Sequence, residues 1–331
     1  MLSTSRRSHT QLAALWILTS RFWLLLLCSV SQSAFAAPAA CQVVHPIVEG
    51  DSLVELSGSS FGNAYYAPAI LLATNARSSE KGYRFISDPN NLPVGGNACI
   101  PTLAEADTLR SRYDSYLAAV YDMVLPTPAD VSDALVAIDP RSPARLVTWM
   151  RTDQVEALKD VQGNWLKQAL ADIWVVPATN LKSFCEEFQK SHPHNPDLLT
   201  LRLEQRLGLP PAANKSLFVE IEIEDPSASR NLFRPCVDPT VTSTTCTLGP
   251  PPAGVAVEHQ NWMFQQYYNS FALARPLQHP WTSLGYTFDW APAETGGSHF
   301  VKVGETEFVI PPGAAIEIQS ATPTTEYCSA H

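Results

Sequence analysis

The first change of hydrophobic pattern along the chain comes early. A stretch bearing Arg6, Arg7 and Arg21 runs into the apolar segment Phe22 to Val30, and the small-x-small triplet Ala34-Phe35-Ala36 follows at the spacing a signal peptidase requires. This predicts a signal peptide over 1–36, cleaved after Ala36. The apolar segment is about half of the ~20 residues needed to span a bilayer, so no integral membrane segment is expected after cleavage. Beyond it, Val43 to Val48 reads as a strand. Gly50-Asp51-Ser52 forms a turn that can cap a helix through Leu53, Leu56 and Phe61, ending at Gly62. A second helix over 67–75 carries Ile70 and Leu71. Ile86 to Gly95 is rich in turn residues and leads to a closing strand at Ala98 to Pro101. Over 103–124 the stripe Leu103, Ala106, Leu109, Tyr113, Leu117, Val120 and Val124 has helical period, and Pro126 and Pro128 end it. Farther on, strands are expected at 134–138, 146–150, 173–176, 217–223, 286–290, 307–310 and 315–319. Helices are expected at 179–190, 197–207 and 257–272. The whole is α+β: a signal peptide over 1–36, a small βααβ unit over 41–101, a helical linker over 102–128, and a larger mixed α+β domain over 129–331.

The elements Gly50-Asp51-Ser52-Leu53, Leu56, Phe61-Gly62, Ile70, Asn75, Ile86, Asp88-Pro89-Asn90, Gly95 and Cys99-Ile100-Pro101 stand in the order, and nearly the spacing, of a LysM domain. Residues 43–101 resemble that family, although the connection from Ala76 to Phe85 is longer than usual for it. The resemblance implies a βααβ fold that binds N-acetylglucosamine-containing glycans, such as peptidoglycan or chitin, in a shallow groove. The two lips of that groove would be Gly50, Asp51, Ser52 and Leu53 on one side and Asp88, Pro89, Asn90 and Asn91 on the other. Leu53 and Ile86 are then expected to form an apolar floor for the N-acetyl methyl. If the two strands of such a unit pair antiparallel, Cys41 and Cys99 come together as a staple. Residues 105–328 carry Leu201 to Pro211, Phe233-Arg234-Pro235, Trp281 to Trp290 and Glu307-Phe308-Val309-Ile310. They are similar to a bacterial family of uncharacterised exported proteins, a likeness that brings no function with it.

Charge narrows the partners. The formal net charge is −10, and loss of Arg6, Arg7 and Arg21 with the signal peptide makes it more negative, since no acid leaves with them. No basic cluster remains, so no nucleic-acid surface is expected, whereas a neutral glycan asks for none. Cys28 leaves with the signal peptide. The even set Cys41, Cys99, Cys185, Cys236, Cys246 and Cys328 reads as a disulfide framework in an exported protein, periplasmic or extracellular. Sequence leaves the connectivity open. Cys236 and Cys246 bracket a turn-rich loop short enough to close on itself, and with Cys41–Cys99 in place Cys185–Cys328 follows by elimination.

Catalytic chemistry is sparsely marked. Glu220, Glu222 and Glu224 alternate with apolar residues and share one strand face, an arrangement usual for a half-exposed strand. With Asp289, which sits between Phe288 and Trp290, Glu220 or Glu222 makes the best carboxylate pair for glycosidic acid–base work. His192-Pro193-His194 lacks a third ligand, so no metal is expected, and no cofactor motif such as GxGxxG or GxxxxGK[ST] occurs. HExxH and GxSxG are absent too. Cys185 with His259 is read as a disulfide partner and an unrelated histidine. The aromatic run from Trp281 to Trp290 is read as core. No motif outweighs these structural roles, so the sequence favours a binding protein over an enzyme.

Overall fold

The computed structural model describes residues 41–228, 230–272, 278–294 and 298–329. The signal-peptide segment and its expected cleavage site after Ala36 lie outside them. The elements in chain order are β1 (Val43–Pro46), α1 (Leu53–Phe61), α2 (Ala67–Asn75), β2 (Asn97–Ile100), α3 (Leu103–Asp122), β3 (Ala144–Met150), α4 (Thr152–Glu156), β4 (Ile173–Pro177), α5 (Ala178–Ser191), α6 (Pro196–Arg206), β5 (Leu217–Ile223), α7 (Val257–Phe271), β6 (Tyr286–Pro292), β7 (Phe300–Thr306), β8 (Phe308–Ile310), β9 (Glu317–Pro323) and α8 (Thr324–Tyr327). The fold is α+β. Among the described residues no helix is long and apolar enough to cross a membrane.

The first four elements run β-α-α-β. Ser52 caps α1 by accepting from the Glu55 N–H, and Gly62 ends it in a left-handed conformation (φ 71°) that a side chain would strain. β1 and β2 pair antiparallel, Val43 opposite Ile100 and Pro46 opposite Asn97. Ile47, Leu53, Ile70, Ile86, Leu92 and Ile100 fill the space between strands and helices. Asn75, 3% exposed, bridges to Ile86 by donating to its carbonyl and accepting from its N–H, so the long 76–85 connection is closed off by a buried amide.

Helix α3 departs from its expected stripe. Ala106, Tyr116, Ala119, Val120 and Met123 are buried, while Leu103 is exposed. The difference arises because two bodies claim the helix. One side meets Tyr65 and Tyr66, whose hydroxyls donate to Asp114 (3.0 Å) and Asp107 (2.7 Å). Tyr116, Ala119, Val120 and Met123 pack against Phe288 and Trp290.

The larger sheet has the order β8-β4-β3-β5-β9, every neighbour antiparallel. One face packs Leu146, Val175, Val219, Ile221, Phe308 and Ile310. Val147, Trp149, Val176 and Phe218 point the other way, toward Leu181 of α5 and Leu199 and Leu203 of α6. β6 and β7 form a separate pair. The segment 134–138, expected as a strand, forms none. The Leu135 and Ile138 N–H groups donate to Thr244 and Val241, and the Val136 carbonyl accepts from the buried Arg234 guanidinium (2.9 Å).

Three disulfides are formed: Cys41–Cys99, Cys185–Cys328 and Cys236–Cys246. Cys99 lies directly opposite Val44, three residues from Cys41. Cys185 of α5 is therefore committed to Cys328 after α8, and it is no nucleophile for His259, whose Nε2 meets the Cys236 carbonyl at 2.8 Å. Non-reducing peptide mapping of the native protein is expected to recover these three pairs; free thiol on any of them would contradict the arrangement.

Candidate functional site

Two surface loops leave the same end of the β1–β2 pair, because Pro46 ends one strand opposite Asn97, which begins the other. Backbone bonds from Ile47 N–H to the Gly96 carbonyl and from Gly95 N–H to the Ile47 carbonyl hold the loop bases together. In the first loop Gly50 has φ 93°, which favours glycine. Asp51 accepts from the Val48 N–H and lies 2.8 Å from His45 Nε2. These two contacts, the backbone one foremost, hold its carboxyl below the usual range. Ser52 caps α1 and donates to Glu55. In the second loop the Asp88 side chain accepts from the Asn90 N–H and its carbonyl from the Asn91 N–H, a self-bonded turn at Pro89 that leaves Asn90 and Asn91 exposed.

One expectation for these loops needs correcting. Leu53 and Ile86 are 4% and 1% exposed, so as core residues they offer a ligand no floor. The apolar surface beside the loops is instead Val48 and Val94, 56% and 55% exposed. Each adjoins a residue of the Ile47–Gly95 bond. Their signal was in the sequence: a valine next to each turn with no place on the buried face of either strand.

The carboxylates proposed for catalysis are not brought together. Glu220 and Glu222 lie on β5, between β3 and β9 in the five-stranded sheet, with Glu222 3.6 Å from Arg145. Asp289 belongs to β6 in the other sheet. It is fully buried, gripped by Arg202 through two bonds (3.0 and 2.8 Å) with Arg206 at 3.6 Å. That is a structural ion pair, closed to a substrate. Among the described residues no group of three or more His, Cys, Asp or Glu side chains could hold a metal, and His192 stacks on Phe188.

A different carboxylate faces a cavity. Between the inner face of the large sheet and the elements α5, α7 and β6 lies a space of about 450 Å³, bordered by Trp149, Trp174, Trp281, Lys215, His279 and Glu307 among others. Trp174 pairs with Val309 and Val175 with Phe308, so Glu307 falls beside Val176 and shares a face with Trp174. Burial alone pushes its carboxyl up to about 8. Lys215 donates to Gln154 at 2.7 Å, and burial, reinforced by Arg151, draws its ammonium down to about 8. His279 Nδ1 lies 3.3 Å from the Tyr116 hydroxyl. The Trp281 Nε1–H is buried with no hydrogen-bond partner. Sequence reading took Glu307 only as the start of a strand. Its one signal was an acid opening the otherwise apolar Phe308-Val309-Ile310. No protein-family model matches this sequence, and neither a curated protein nor a solved structure does.

Proposed function

We propose that residues 41–101 form a LysM-like module that binds N-acetylglucosamine-containing glycan, peptidoglycan or a chitin-like polymer, in an exported protein of the periplasm or the extracellular space. The observation that carries this reading is the emergence of the Gly50–Leu53 and Asp88–Asn91 loops from one end of the β1–β2 pair. A sugar laid between two such loops meets the exposed amides of Asn90 and Asn91 on one side and the turn at Gly50 on the other, while Val48 and Val94 supply apolar contact for an N-acetyl methyl. Export is supported by the signal-like N-terminal pattern and by three disulfides, which persist in oxidising compartments. A chain of net charge −10 is also suited to a neutral ligand better than to an anionic one.

The groove is shallow and present once, so affinity is expected in the range of about 1 μM to 1 mM, or −8 to −4 kcal/mol. The full chain is expected to sediment with insoluble peptidoglycan or chitin. Asn90→Trp, at an exposed position, should weaken that association by about tenfold, or ~1.4 kcal/mol, with the thermal midpoint unchanged. Absence of sedimentation with both polymers would remove the glycan reading and leave a scaffold or protein-interaction role.

A further inference from the structure

Two polar groups in the central cavity are left without partners by the fold. The Glu307 carboxyl makes no hydrogen bond or ion pair among the described residues; only its backbone N–H is used, donating to Gly285. Trp281 Nε1–H is a buried donor with nothing to donate to. A buried N–H left unpaired costs stability, and a fold usually removes or satisfies such a group; the half-buried Glu307 carboxyl, lining the same cavity, is likewise unpaired. Both line one cavity, at one end of it. The Glu307 N–H bonds Gly285, Trp281 bridges Thr287 two residues beyond, and Trp174 lies on the same sheet face as Glu307. Trp174 and Trp281 are further tied by Trp262, whose ring lies 5.6 Å and 6.3 Å from theirs.

The other charged groups of the cavity are engaged or distant. Asp172 accepts from Trp262 Nε1 at 2.7 Å. Lys215 bonds Gln154 and adjoins Ser216, whose N–H reaches Met150 at the far end of β3. By strand spacing and rise, three strands across and five residues along, the backbones of Lys215 and Glu307 are roughly 20 Å apart. A carboxylate walled by aromatic rings is the chemistry that selects an ammonium ion, which neutralises the carboxylate and meets the negative faces of the rings. The unpaired indole N–H adds a demand for an acceptor on the same ligand.

We propose that the cavity is a binding site for an organic ammonium compound with an apolar body and a hydrogen-bond acceptor, in which Glu307 is the counter-ion and Trp281 donates to the acceptor. The site is independent of the glycan-binding loops. Its volume of about 450 Å³ accommodates a small organic molecule rather than a polymer.

Phenylethanolamine, with an ammonium, a hydroxyl and a ring, is the probe, and styrene glycol is its neutral counterpart. Titrated into the full chain by calorimetry and by tryptophan fluorescence, the amine is expected to bind at millimolar concentration or below, at least tenfold tighter than the glycol. Glu307→Gln should erase that preference with the circular dichroism spectrum retained, and Trp281→Phe should weaken the amine. Equal binding of amine and glycol, undiminished amine binding in Glu307→Gln, or no binding of either probe would overturn the proposal. If Glu307→Gln fails to fold, the comparison of amine with glycol on the unmodified protein decides. Glycan sedimentation is unaffected in every arm.

Discussion

Asp289→Asn is expected to lower the free energy of unfolding by about 3–5 kcal/mol, the usual result of removing one partner from a buried ion pair. Asp289 is fully buried and accepts from both terminal nitrogens of Arg202 and from the Ala291 N–H. An asparagine keeps an acceptor but removes the charge, leaving Arg202 uncompensated with its side chain 17% exposed. Arg206 is less affected, since it also holds Glu305 at 2.8 Å. The penalty comes from the stranded cation, so adding Arg202→Met to Asp289→Asn should recover part of the loss. Denaturant unfolding of the parent and the two variants measures this; an Asp289→Asn protein as stable as the parent would show that the pair contributes nothing.

A second large effect depends on pH. Glu204 of α6 is 3% exposed and accepts from the Ala213 N–H at 2.9 Å. Burial pushes its carboxyl up to about 8, against the opposing pull of that N–H and of Arg112. An acid whose folded value is raised favours the folded state while protonated. Its contribution is complete below the ordinary carboxylate range near 4.5 and is lost as pH rises toward 8. At 1.36 kcal/mol per unit, the loss between those limits is on the order of 4–5 kcal/mol. Glu204→Gln keeps the acceptor and cannot ionise, so its stability should fall much less over the same interval. Urea unfolding at several pH values reads the difference between the two slopes; parallel curves would refute a raised Glu204. Asp51 and Asp130, both lowered, act in the opposite sense at lower pH and cancel in that difference.

Where local chemistry decides structure, the chain was readable. β5 occupies the expected residues because Phe218, Val219, Ile221 and Ile223 are interrupted only by carboxylates on the half-exposed face. α6 begins at Pro196 after Asn195, which caps the Leu198 N–H as its sequence foretells. β7 was not anticipated. Lys302 within it has φ 71° and Gly304 carries no side chain, so the alternation that marks a strand is broken. Gly304 is required there because a Cβ would collide with the backbone of Arg206 and Thr287. That constraint comes from α6 and β6, far away in sequence. β9 runs to Pro323 rather than ending at Gln319, because pairing with β5 rather than side-chain pattern extends it. The turns at Gly50 and Asp88 and the Cys236–Cys246 loop were legible for the same reason as α6, being built from residues close in sequence, whereas Cys41–Cys99 and Cys185–Cys328 join residues 58 and 143 apart. The cavity was not. It exists only where Glu307, Trp281 and Lys215, each ordinary in its own segment, are assembled by the packing of several elements.

Helix α3 has a mechanical consequence. Its 20 residues make a rod of about 30 Å, bonded to Tyr65 and Tyr66 on one side and packed through Tyr116 and Val120 against Trp290 on the other. Arg110 adds a stacking contact over the Tyr65 ring and a bond to its carbonyl. A pull applied to the β1–β2 loops is therefore not absorbed by a slack tether. It passes along the rod into the β6–β7 pair, and giving way requires several side chains to slide at once, so the N-terminal unit and the large domain resist tension together.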